Sequence, residues 1–65
     1  MLPQNIKKLR KKYKLSQEEL AKKAGITYST LIKIESGFNK NPTLETLVKV
    51  AKALEVGIDE LIRKV

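Results

Sequence analysis

Sixty-five residues allow one small domain, residues 1–65, near the size at which a single apolar core is marginal. The chain has no cysteine and no histidine, which excludes disulfides, thiolate metal sites and the commonest general base. A formal charge of +7 points instead toward a polyanionic partner.

From Met1 to Lys40 ten cations (Lys7, Lys8, Arg10, Lys11, Lys12, Lys14, Lys22, Lys23, Lys33, Lys40) face only Glu18, Glu19 and Glu35. From Asn41 to Val65 four cations (Lys49, Lys52, Arg63, Lys64) balance Glu45, Glu55, Asp59 and Glu60. The whole excess therefore sits on the first part of the chain. A generic Lys/Glu-rich surface, of the sort heat-adapted proteins favour, predicts no such asymmetry, whereas a phosphate-backbone footprint does. No apolar run approaches the roughly 20 residues of a membrane span, and the N-terminus lacks the apolar core of a secretory signal. A cytoplasmic location and no membrane partner are expected.

Helix 1 is predicted over about 4–13. Pro3 suits a first turn, and Ile6, Leu9 and Tyr13 recur at i, i+3 and i+7, with lysines on the other faces. The narrow stripe lacks Trp and Phe, so it fits one wall of a core better than a membrane surface. Lys14 and Leu15 form a link.

Helix 2, about 16–24, opens with Ser16 and Glu19 in capping-box spacing. Leu20, Ala21 and Ala24 give its apolar stripe, and Gly25 suits a left-handed end. Thr27 can cap helix 3, about 27–35, which turns Leu31 and Ile34 inward and shows Tyr28, Ser29, Thr30 and Lys33 on its other side. Ser36 and Gly37 end it, with Gly37 left-handed. Two short helices joined by a tight, Gly-containing turn form a helix-turn-helix unit, whose second helix can enter a DNA major groove.

A polar loop, 38–42, leads to helix 4, about 43–54. Its broad apolar face is Leu44, Leu47, Val48, Val50, Ala51 and Leu54. Helix 5, about 58–63, carries Asp59 and Glu60 in its first turn, where the helix dipole favours acids. Lys64 and Val65 are expected to fray. Five helices with short links imply an all-α orthogonal bundle. Its expected core is Ile6, Leu9, Leu15, Leu20, Ala21, Ala24, Ile26, Leu31, Ile34, Leu44, Leu47, Val50, Ala51, Leu54, Ile58 and Leu61.

The pieces LSQEELAKKAGI (15–26), STLIKIESG (29–37), NPTLETLVKVAKAL (41–54) and IDEL (58–61) stand in an order and spacing that resembles the Cro- and phage-repressor-like (Xre-type) helix-turn-helix family. The resemblance covers nearly the whole chain from Ile6 onward. It implies a five-helix, lambda-repressor-like bundle and a sequence-specific, double-stranded-DNA-binding transcriptional regulator, a repressor acting as a homodimer.

By resemblance, base-reading positions fall on Tyr28, Ser29 and Lys33. The chemistry agrees: Lys can donate to guanine O6 and N7, and Ser can bond a base or a phosphate. Gln17, at the dipole-positive start of helix 2, is expected on a phosphate, as are Thr27 and Thr30. By resemblance the loop residues Asn39, Lys40 and Asn41 approach the far strand. The family also pairs an Arg in helix 1 with a Glu ending helix 3, here Arg10 and Glu35, which implies a structural ion pair. Lys11, Lys12 and Lys14 are either solvated flank or further phosphate contacts. Ile32 stands where the family more often has a polar residue; it faces either thymine methyls or helix 4.

Two positions depart from the family pattern. Glu55 stands where Gly or Asn often ends helix 4, and Gly57 where Ser often caps helix 5. Both lie in the region family members use to dimerise, here Val56, Ile58 and Ile62 of the helix 4–helix 5 region.

No enzyme, cofactor or metal is expected. Glu18–Glu19 and Asp59–Glu60 are adjacent carboxylates suited to helix starts, no histidine activates a hydroxyl, and the glycines are isolated. The competing reading is an antitoxin-type or other protein-interaction module, holding a toxin or another partner through an apolar patch at Val48, Val56, Ile58 and Ile62. A nonspecific nucleic-acid binder is a third, opposed by the scarcity of stacking aromatics.

Overall fold

Local signals set the helices in the computed structural model, which describes residues 2–62. The ends assigned to Arg63, Lys64 and Val65 lie outside the described residues. The elements are α1 (Leu2–Lys12), α2 (Gln17–Ala24), α3 (Tyr28–Glu35), α4 (Leu44–Ala53) and α5 (Ile58–Ile62).

Helix α2 starts as its spacing predicts. The Glu19 amide donates to Ser16 Oγ at 3.0 Å, and the Ser16 amide donates to Glu19 Oε1 at 2.8 Å. The Ser16 amide, and then its hydroxyl, hold the Glu19 carboxyl below its ordinary 4.5. A lowered folded-state value means the box adds stability above that ordinary value and loses it as pH falls through the lowered one. Ser16→Ala should cost about 1 kcal/mol, read from the urea midpoint.

Thr27 and Thr43 cap α3 and α4 in the same manner, accepting from the amides of Thr30 and Thr46, each at 3.1 Å. Helix α1 begins two residues earlier than expected, at Leu2, with Pro3 in its first turn.

Three helices end in the same left-handed way. At Gly25 (φ 73°) the next amide, Ile26, reaches back to Ala21 O at 3.0 Å. Lys14 and Glu55 take φ 57° at the equivalent places, where Leu15 donates to Arg10 O and Val56 to Ala51 O. Glu55 thus adopts the costly conformation that its position implied, and Lys14 is a second case the sequence did not signal. Each costs about 1–2 kcal/mol relative to glycine, offset by the carbonyls these turns satisfy.

The helices cross rather than run up and down. Helix α1 packs on α3 and α5, α2 on α3 and α4, and α4 on α5. Ile6, Leu20, Leu31, Ile34, Val50, Leu54 and Leu61 are fully buried. Leu9, Leu15, Ile26, Leu47 and Ile58 of the expected core are partly buried against them.

Leu44 corrects the expectation: it is 67% exposed. It is the first residue of α4, where the chain is still arriving from the loop, so its side chain misses the centre that Leu47 and Val50 reach. Tyr13 is likewise exposed, because α1 ends at Lys12 and the stripe does not continue. Ala53, unassigned by the pattern, is buried.

Asn5 was also missed. Its side chain is buried, and Nδ2 donates to Leu61 O at 2.9 Å, which ties the start of α1 to α5.

Candidate nucleic-acid interface

The α2–turn–α3 unit exposes one side of α3 because its other side is consumed by the core. Leu31 and Ile34 are fully buried, while Tyr28, Ser29 and Lys33 are exposed. Tyr28 and Ser29 occupy the first turn and Lys33 lies one turn further on. That is the arrangement a groove-docking helix needs, with donors and an aromatic face on one open side. Ile32 is half-buried, between the two alternatives open to it.

Thr27 and Thr30 have local tasks. Thr27 Oγ1 accepts the Thr30 amide, and the two hydroxyls lie 2.7 Å apart. One hydroxyl hydrogen of the two is used between them, which leaves the other to donate to an outside acceptor.

In the following loop Gly37, at φ 82°, turns the chain back beside α1, with Pro3 Cγ 4.0 Å from where a Cβ would stand. Asn39 Oδ1 accepts the Asn41 amide at 3.1 Å, an Asx turn, and Asn39 is half-buried. Lys40 and Asn41 are exposed.

Arg10 and Glu35 meet as expected. Arg10 Nε donates to Glu35 Oε2 at 2.9 Å and Nη2 to Oε1 at 3.1 Å. Arg10 Nη1 donates to Leu15 O at 2.9 Å, so one guanidinium joins α1, the α1–α2 link and α3. The Glu35 side chain is 1% exposed and that of Arg10 13%.

Gln17 is the surprise. Its Nε2 donates to Glu35 Oε1 at 3.2 Å, so this expected phosphate ligand also belongs to the buried pair's network. Nothing in the spacing of residues 18 apart could have shown that.

The electrostatics follow from these placements. Of the ten cations in residues 1–40, the nine lysines are all exposed and only Arg10 is drawn inside. The basic excess is thus on the surface, available to a polyanion.

A helix-turn-helix family model matches residues 6–61. The "HTH-type transcriptional regulator SinR" of Bacillus subtilis is 40% identical over 62 residues, 95% of this chain and 56% of that protein. The "Cryptic phage CTXphi transcriptional repressor RstR" of Vibrio cholerae is 46% identical over 52 residues, 80% of this chain and 46% of that protein. The chain therefore spans about half the length of these curated relatives.

A crystal structure of SinR in complex with DNA superposes with a TM-score of 0.93 at 40% identity, covering 97% of this chain and all of that one. SinR in its complex with the SinI protein superposes with a TM-score of 0.94 at 39% identity, over 98% of this chain and 62% of that one.

Proposed function

The chain belongs to the helix-turn-helix family, and on that premise we propose that it is a sequence-specific, double-stranded-DNA-binding transcriptional regulator, acting as a repressor. Helix α3 reads the major groove. The carrying observation is the two-sided burial of α3: Leu31 and Ile34 inside, Tyr28, Ser29 and Lys33 outside. SinR, solved with DNA, and the repressor RstR support the reading.

Tyr28, Ser29 and Lys33 contact bases. Gln17, Thr27, Thr30, Asn39, Lys40 and Asn41 contact phosphates. Two copies occupy successive major grooves about 34 Å apart. They pair through the α4–α5 region, where Ile62 is 55% exposed while Val56 and Ile58 are partly buried against their own core.

Selection of bound duplexes from a random pool supplies an operator. Titration of that operator and of its scrambled form is the test. Lys33→Ala should remove about 1–3 kcal/mol of discrimination at one base pair, whereas Gln17→Ala should weaken all sequences alike. Equal affinity of the wild type for both duplexes would leave only nonspecific binding.

The SinR–SinI complex supports a second reading, in which this chain also holds a protein partner through the same α4–α5 region. Light scattering of the isolated chain separates the two: a dimer hides that patch, and a monomer leaves it open for another protein.

A further inference from the structure

We propose that Glu35 is a positioning residue for DNA binding: it holds the carboxamide of Gln17 in one orientation, with a single N–H left to meet a backbone phosphate. The inference rests on the DNA-binding reading above and goes beyond it by giving the buried ion pair a second task.

A glutamine amide on a surface turns freely and can present either its oxygen or its NH2 group to a ligand. Only the NH2 group suits a phosphate; the oxygen would repel it. Gln17 has no such freedom. A carboxylate at this site can only accept, so the amide must point Nε2 at Glu35 Oε1, as it does at 3.2 Å. One of its two hydrogens is thereby used, and the other remains for an outside acceptor.

Glu35 is itself immobile. It accepts twice from Arg10, at 2.9 and 3.1 Å, and is buried at the end of α3. Arg10 also offsets the negative charge that would otherwise oppose an approaching phosphate. The order of dependence is therefore Arg10, then Glu35, then Gln17. Beside Gln17, the first amides of α2 have no acceptor within their own helix and face the same outside. Ser16 and Glu19 cap each other and leave the amides of Gln17 and Glu18 unclaimed.

The test is a double-mutant cycle on DNA affinity, with the whole chain and the selected operator, at a temperature where circular dichroism shows each variant folded. Gln17→Ala should weaken binding about tenfold, as expected for a hydrogen bond to a charged group. Glu35→Gln should weaken it by a similar factor in the wild type, and by less than about threefold once Gln17 is Ala. Independent, multiplying factors would overturn the proposal while leaving DNA binding intact. No binding by the wild type would instead overturn the reading beneath it.

Glu35→Gln strands Arg10 and could fail to fold, so a measurement on the wild type stands beside the cycle. The chain has only two glutamines, Gln4 and Gln17, and Gln4 is exposed. In the NMR spectrum the side-chain amide of Gln17 should exchange with water more slowly than that of Gln4. On adding the operator, one Gln17 proton should move and the other stay. A Gln17 amide as labile as that of Gln4, or two protons moving together as it leaves Glu35, overturns the proposal.

Discussion

Replacing Glu35 with Ala should cost about 3–5 kcal/mol of folding stability. Arg10, whose side chain is only 13% exposed in the intact protein, would lose both carboxylate bonds, and Gln17 would lose its acceptor. A chain of this size has a total stability of only about 3–10 kcal/mol at about 0.05–0.15 kcal/mol per residue. The loss is therefore at least about a third of the total, and a urea titration followed by helical circular dichroism should read it as a large fall in the unfolding midpoint.

The contrast is Glu45 with Lys49, a pair at i, i+4 on α4 with side chains 79% and 44% exposed. Breaking that pair should change stability by no more than about 0.5 kcal/mol, because water already screens it. A loss below about 1 kcal/mol for Glu35→Ala would place the buried pair in the same class and remove its structural role. Replacing both partners together, Arg10→Met with Glu35→Leu, should recover most of the loss, since apolar packing often replaces a buried pair at little cost.

Affinity for the operator should collapse with salt. Each phosphate neutralised releases counterions, and log affinity should fall by about 0.9 per log unit of salt for each one. If Lys40 and two of the exposed lysines near α1 each neutralise a phosphate, a pair of copies neutralises six, enough for a loss of about a thousandfold between 50 and 200 mM salt. Nine exposed lysines in residues 1–40 can supply them.

The variants divide by charge. Lys40→Ala should flatten the slope by about 0.9 per copy, because it removes a cation. Gln17→Ala should weaken binding and leave the slope alone, because Gln17 is neutral. A titration in which affinity hardly changes with salt would mean that the basic half is not a phosphate footprint at all.

The resemblance and the spacing together anticipated where most of these side chains stand, and the reason differs from residue to residue. Tyr28, Ser29 and Lys33 stand outward because Leu31 and Ile34 claim the inner side, and helical periodicity alone expresses that. Arg10 and Glu35 lie 25 residues apart, and only the family resemblance joined them. The link from Gln17 to Glu35 had no signal of either kind. It requires the start of α2 to be delivered beside the end of α3, which is a property of how the two helices cross.

What the sequence determined by itself is the set of events completed within three to five residues. Examples are the Ser16–Glu19 box, the threonine caps at 27 and 43, the left-handed Gly25 and Gly37, and the apolar stripes. Their partners are near in the chain, so spacing and residue type suffice. The tertiary structure alone decided that Leu44 stays in water, that Asn5 is buried on a carbonyl 56 residues away, and that one carboxylate serves both Arg10 and Gln17. Each of those depends on which distant surface arrives alongside, and that is set by the packing of all five helices at once rather than by any one of them.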